Sequence, residues 1–295
     1  MYVADQPGKS RRSRFVRVHH LDGGGTRPLG GRLIDGQPGV LRRAATACHC
    51  LLIEHSTGLA LVDTGYGEQA VTRPEVWVGR QIIRRTRPVL DQVIARHVED
   101  LGFAREDVRD IIVTHLDLDH AGGLADFPEA TVHVYQAELD AMTGAYGRRE
   151  RFRYRPVQIE HGPKWMAYGE SDSRDDHLFG LRAVRELRGL PTEILMVPLA
   201  GHTRGHVGVA VDTGNGWLLH AGDAYSFHGQ MERRPRMPLG ASVFQRSLDT
   251  LRSSRVENQR RLRELVHDHR DAVTVFSSHC ATEFERLRGT DGHER

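Results

Sequence analysis

Along the chain the spacing of apolar positions changes several times, and the changes outline alternating strands and helices. From Thr46 to Glu54 an apolar run leads through the turn Ser56-Thr57-Gly58 into Leu59–Val62, closed by Asp63-Thr64-Gly65, a pattern that predicts a β-hairpin. Between Pro88 and Leu101 the residues Val89, Leu90, Val93, Ile94, Val98 and Leu101 recur at helical spacing, and Gly102 supplies a stop. Val108–Thr114, with Ile111-Ile112-Val113, is apolar on both faces, which predicts a central strand in a sheet covered on both sides. Thr131–Tyr135 reads as a further strand and Gln136–Met142 as a short helix, so the rhythm is that of a layered α/β fold.

The rhythm lapses over Thr143–Leu190, rich in Arg, Gly, Asp and aromatic residues without a sustained period, and this stretch is read as an irregular insertion or lid over one face. Strands are predicted again at Ile194–Pro198, Val207–Asp212 and Trp217–His220. The last two are joined by Thr213-Gly214-Asn215-Gly216, a strong hairpin signal. A long polar helix over Val243–His269 and a strand at Val273–Phe276 complete the pattern. With no internal repeat and no low-complexity linker, one domain spanning residues 1–295 is expected, with 1–17 disordered and 143–190 as the insertion.

Composition narrows the partners. The 41 basic and 39 acidic residues leave a formal charge of +2, which argues against nucleic acid or a membrane surface and in favour of a small-molecule substrate. The start is polar and Arg-rich, and no window approaches the roughly 18 uninterrupted apolar residues of a span, so a cytoplasmic protein is expected. Three cysteines are too few for a disulfide framework and are expected to be reduced. The oligomeric state is left open. Eighteen histidines, several beside Asp and Gly, turn attention to metal chemistry.

The densest cluster is Thr114-His115-Leu116-Asp117-Leu118-Asp119-His120-Ala121-Gly122-Gly123, four potential ligands directly after a buried strand. Packed that closely, carboxylates and imidazoles are costly to desolvate without a cation, and a divalent ion removes the cost. Gly201-His202-Thr203-Arg204-Gly205-His206, Ala221-Gly222-Asp223 and Ser277-Ser278-His279 each follow a predicted strand, where sites are commonly built.

In this order the series His-x-Asp-x-Asp-His-x-Gly-Gly, Gly-His-Thr, Gly-Asp and Ser-His resembles the ligand series of the metallo-β-lactamase superfamily, over most of the chain. The resemblance implies an αββα sandwich with two divalent metal ions at one edge between the sheets. His115, Asp117 and His202 would hold the first ion; Asp119, His120 and His279 would hold the second; Asp223 would bridge both, with a hydroxide between them as nucleophile. Two ions roughly 3.5–4 Å apart lower the pKa of a shared water and polarise a substrate oxygen. Asp119 would orient that hydroxide and handle the proton. The family usually has histidine where this chain has Asp117. Zinc is therefore the first expectation, while the harder carboxylate keeps manganese or iron open. The layout is similar to that of single-domain acyl-homoserine-lactone lactonases, in which a tyrosine shortly after the bridging Asp holds the substrate carbonyl; Tyr225 stands near that position, one residue closer.

The expected activity is hydrolysis of a lactone, ester, thioester or lactam. Two alternatives are carried. One is a dinuclear iron oxidoreductase or dioxygenase, since flavodiiron relatives carry a carboxylate at the position of Asp117, although no flavodoxin-like extension is present. The other is a non-catalytic metal-binding protein. Other features have plainer readings. Asp63 is expected to accept backbone hydrogen bonds in its turn, and His206 to support the site without ligating. Cys48 and Cys50 share one face of a strand, with His49 on the other, as core residues. Cys280 either lines the pocket or fills space. Arg148, Arg149, Arg151, Arg153 and Arg155, interleaved with Phe152 and Tyr154, form either an anion-recognising rim or a solvated charge run. His228 either enters the pocket or lies on the surface.

Overall fold

The computed structural model describes residues 16–144, 150, 153–173, 176–184 and 186–289. Two sheets form the centre. The first holds β1 (Val16–Asp22), β2 (His49–His55), β3 (Gly58–Val62), β4 (Val108–Ile112), β5 (Thr131–Tyr135) and β6 (Lys164–Tyr168) in sequence order. Its first three strands pair antiparallel, and β3 to β6 run parallel. A small hairpin, β7 (His177–Leu178) and β8 (Leu181–Arg182), precedes the second sheet, β12-β11-β10-β9, made from β9 (Ile194–Pro198), β10 (Val207–Asp212), β11 (Trp217–His220) and β12 (Val273–Phe276).

The pleat sorts side chains into layers. On β2, Leu51 and Ile53 point toward the second sheet, packing in one cluster with Val62, Ile112, Met196, Val209 and Phe276. Leu52, one residue out of phase, joins Leu61, Ile111 and Val132 against Ile94 and Val98 of the helix Ile94–Asp100. The outer face of the second sheet, with Val197, Ala210, Leu219 and Val275, packs on Leu262 and Leu265 of the helix Arg252–Asp268. The result is helix, sheet, sheet, helix: the expected αββα sandwich.

Four expectations change. The helix read from Pro88 begins only at Ile94, because Pro88 bridges Thr26 and the Val89 N–H donates to the Gly25 carbonyl at 2.8 Å, drawing that stretch out along residues 23–27. The expected disorder of 1–17 falls largely outside the described residues, but Val16 and Arg17 already belong to β1. The 143–190 stretch is not wholly irregular: it supplies β6, the edge strand of the first sheet, and the β7–β8 hairpin. Its Lys-Trp-Met-Ala-Tyr strand is half-buried on most positions, as an edge strand is, so no clean alternation marks it. The long polar helix is two helices, Leu239–Leu248 and Arg252–Asp268. At the break, the Thr250 and Leu251 N–H groups donate to the Gly201 carbonyl at 3.1 and 2.8 Å, while Asp249 pairs with Arg255 at 2.6 Å in the interior. The interruption therefore clamps the loop that carries His202.

Candidate metal centre

Every predicted ligand lies just beyond the end of a strand, and all at the same edge of the sandwich. His115–His120 follow β4, His202 lies between β9 and β10, Asp223 follows β11 and His279 follows β12. The seven residues form three overlapping groups whose donor atoms lie within 4.8 Å of one another: His115, Asp117 and His202; Asp119, His120 and His279; and His115, His120 and Asp223. Asp223 spans the two halves, with 3.4 Å from Oδ2 to His202 Nε2, 3.5 Å from Oδ1 to His120 Nε2 and 3.2 Å from Oδ2 to His279 Nε2.

The imidazoles are aimed by their Nδ1 atoms. Asp63, at φ 58° in the left-handed region, accepts from the Thr114 N–H at 2.7 Å, the Thr114 hydroxyl at 2.8 Å and His120 Nδ1 at 2.8 Å. With its hydroxyl proton committed to Asp63, Thr114 accepts from His115 Nδ1 at 3.0 Å. His279 Nδ1 donates to the Ala47 carbonyl at 2.8 Å. These bonds place a proton on Nδ1 of all three rings and turn their Nε2 atoms into the cluster. The turn carboxylate expected at Asp63 thus does more than cap backbone: it holds two of the ligand candidates.

His206 has the supporting role expected of it. Its Nδ1 donates to the Leu199 carbonyl at 3.1 Å and its Nε2 accepts the Asp223 N–H at 2.8 Å. Gly222 makes this possible: its φ is 54°, and a Cβ there would lie 2.4 Å from His206 Nε2. Cys48 donates to the Asp119 carbonyl at 2.8 Å, Cys50 is buried, and His49 packs among His20, His220, Phe276 and Phe284, so the Cys-His-Cys run is interior as read.

Two supporting groups escaped the sequence. Glu138, buried on the helix Gln136–Thr143, accepts the Leu116 N–H and the Gly205 N–H, each at 3.0 Å, tying together the loops that carry His115 and His202. The contact is so close that a Cβ on Gly205 would lie 2.2 Å from the Glu138 nitrogen. Arg153 was read as part of a rim or charge run. Its guanidinium is instead nearly buried, with Nη1 2.7 Å from Asp117 Oδ2 and 2.9 Å from His202 Nε2, and Nη2 donating to the Leu248 carbonyl. A carboxylate at position 117 calls for a counter-charge, and that was the available signal. Arg155 donates to the Trp77 carbonyl at 2.9 Å, Tyr154 is buried, and Arg148, Arg149, Arg151 and Phe152 lie outside the described residues.

Electrostatics point to a cation. Burial raises the pKa of Asp223, but His279, His120 and His202 outweigh it and hold the carboxyl well below its ordinary range. Asp117 is likewise depressed despite burial, chiefly by Arg153 and His115. Burial lowers His279, yet Asp223 and Asp119 carry it up to about 9 when nothing else balances them. Three buried atoms of the cluster, His115 Nε2, Asp117 Oδ1 and Asp223 Oδ1, have no hydrogen-bond partner. Such orphans are rare in folded proteins, and divalent ions held by the overlapping groups would satisfy them, so the donor set fits the metals the sequence implies.

The cluster floors a cavity of about 470 Å³. Asp117, Asp119, His202, Asp223 and His279 face it from below; Ile34, Phe227, Ala241, Phe244 and Leu248 form apolar walls, and Cys280 lines one side. Tyr225 is placed elsewhere. Its side chain is fully buried in the core and its hydroxyl donates to Glu283 at 2.9 Å, so it does not reach a substrate carbonyl in the cavity. His228 is half-buried beside Cys280, with Nδ1 3.5 Å from Sγ, and is not part of the lining.

Comparison with known proteins agrees with this geometry. The family model described as the metallo-beta-lactamase superfamily matches residues 43–279. A probable metallo-hydrolase of Mycobacterium tuberculosis is 37% identical over 276 residues, 93% of this chain and 84% of that protein. An N-acyl homoserine lactonase of Bacillus cereus is 33% identical over 94 residues, 31% of this chain and 38% of that one. Among solved structures, an AiiA variant from B. thuringiensis with N-decanoyl-L-homoserine bound at its active site superposes with a TM-score of 0.68 at 18% identity, covering 92% of this chain and 96% of the other. A dizinc quorum-quenching lactonase superposes with a TM-score of 0.60 at 17% identity, covering 90% and 87%.

Proposed function

Because the chain belongs to the metallo-beta-lactamase superfamily, we propose that it is a metal-dependent hydrolase acting on the carbonyl of a small molecule with an apolar arm, a lactone or simple ester before a thioester or lactam. The observation that carries this reading is the convergence of seven donors, three with orphaned atoms, at the floor of an apolar cavity. Two divalent ions bound there, zinc first, would supply an activated water and polarise the substrate carbonyl.

The chain's own groups do the rest. The apolar walls hold the substrate's arm and exclude bulk water, and the donor cluster at the floor receives the reactive carbonyl. Asp119, facing the cavity from the start of the helix Leu118–Ala121, is placed to take and return the proton that moves between attacking water and leaving oxygen. Asp63, through His120, and Ala47, through His279, fix the imidazoles so that no reorientation accompanies the reaction. The iron alternative drew on the added negative charge at Asp117. Without a metal ion Arg153 offsets that charge, and the identity of the bound metal separates the two readings. The non-catalytic alternative has no counterpart to an intact donor set opening on a cavity.

The test is metal content by elemental analysis of protein purified without added metal, followed by a lactone and ester panel with short and long acyl arms. Metal-dependent turnover that rises with arm length supports the reading. A chain that holds no metal even after reconstitution, or a zinc-loaded chain inert toward the whole panel, overturns it.

A further inference from the structure

We infer that Arg153 is a built-in cation of the first half of the centre, and that a metal ion enters that half only by displacing its guanidinium. The inference rests on the metal-dependent reading above and concerns the order and strength of loading. Arg153 Nη1 donates to Asp117 Oδ2 at 2.7 Å and lies 2.9 Å from His202 Nε2, which is itself 3.0 Å from Asp117 Oδ2. An imidazole nitrogen has one in-plane position, taken either by a lone pair or by a proton. In either tautomer that position of His202 Nε2 is engaged, with Arg153 or with Asp117, and the guanidinium stands beside both donors where a metal ion would have to sit.

The guanidinium is held for the purpose. It is nearly buried, and Nη2 is anchored on the Leu248 carbonyl at the end of a cavity-wall helix. The second half has no such occupant. Among the described residues, the ion-pair partners of Asp119 and Asp223 are all histidines, whose Nε2 atoms become ligands themselves once they release a proton, which a guanidinium cannot do. The centre consequently fills Asp119, His120, Asp223 and His279 first. The first half fills afterwards and more weakly, because the incoming ion must break the guanidinium's bonds to Asp117 and Leu248 and expel a like charge.

The experiment is a zinc titration of the chelator-stripped full chain against a chromogenic competitor, with Arg153→Gln and Arg153→Lys beside the wild type. Two steps are expected for the wild type, the second weaker by on the order of ten-fold or more. Arg153→Gln should close the gap by about ten-fold or more, and Arg153→Lys, which keeps the charge, should leave it open. In the wild type alone, phenylglyoxal modification of Arg153, read by mass spectrometry, should rise with the second equivalent of zinc and not with the first. That measurement decides the matter even if a variant does not fold. Two equivalents binding with one affinity, a gap unchanged in Arg153→Gln, or labelling that ignores the second equivalent would overturn the inference and leave the hydrolase reading standing. No zinc bound in any form would remove both.

Discussion

In the second half of the centre each imidazole is tied to an acceptor in the rigid interior, His120 to Asp63 beyond β3 and His279 to the Ala47 carbonyl before β2. In the first half, Asp117 and His202 face a guanidinium delivered from the stretch between β5 and β6, on loops tied to each other by Glu138. Both halves use the same residue types at the same edge of the sandwich. What separates them is the source of support: the second half rests on the sheet, whereas in the first only His115 does, through Thr114, and Asp117 and His202 depend on a segment that packs against it. A symmetric-looking donor set can therefore hold two sites of unequal character.

The comparison can be broken most thoroughly at Asp223, which serves both halves. Asp223→Ala should cut turnover on the order of 10³-fold, beyond the 10–100-fold typical for groups that merely support a ligand, and should strip metal from the whole centre. Elemental analysis beside steady-state kinetics checks this, and full metal retention would contradict it. Glu138→Gln acts on one half: it should weaken the first-half step of a zinc titration by about 10–100-fold and spare the other. Asp63→Ala should weaken the second-half step most, through His120, with a smaller effect on the first through Thr114 and His115, and should also destabilise the fold by about 1–3 kcal/mol by orphaning the Thr114 N–H and hydroxyl. If both variants weaken the same step most, the division into halves is wrong.

The smallest effect concerns the interior behind the second half, where His20, His49 and His220 sit together. Burial, then neighbouring His220 and His19, push His20 from 6.5 down to about 4, and burial lowers His49 and His220 as well. The unfolded chain protonates His20 near 6.5 while the folded chain does not until about 4, and the lowered His49 and His220 act in the same direction, so stability falls as pH drops through that window. Tm should decline by on the order of a few °C between pH 7.5 and 5, and His20→Gln should flatten the decline. A Tm unaffected by pH would show that the cluster does not titrate in this way.

Much of this was legible in the sequence. The strands β5, β9, β10, β11 and β12 fall on their predicted bounds because each is an apolar run bracketed by turn residues, and the motif residues from His115 to His279 meet because each directly follows a strand. The losses have physical causes. Helical spacing at Val89 and Leu90 was overridden by pairing with residues 25 and 26, far away in sequence. The polar run of 243–269 concealed a break, since the Thr250–Leu251 backbone is held by the Gly201 carbonyl and not by its own helix. Tyr225 sat near a plausible position in the motif, but its direction depends on Glu283, 58 residues later. Glu138 left no sign for the same reason, and Arg153 was singled out only as one of a run, because what each touches is set by packing between distant loops.

The edge of the sandwich also has a bearing on how the chain folds. His115–His120 belong to the first sheet, His202, Asp223 and His279 to the second, and His120 meets His279 across 159 residues of sequence. No partial fold containing one sheet alone holds the complete set. The site is therefore complete only when the sheets dock through contacts distant in sequence. Whatever binds there acts as a clasp that favours the docked state by mass action, so chelation should accelerate unfolding even in a chain that has no substrate to hydrolyse.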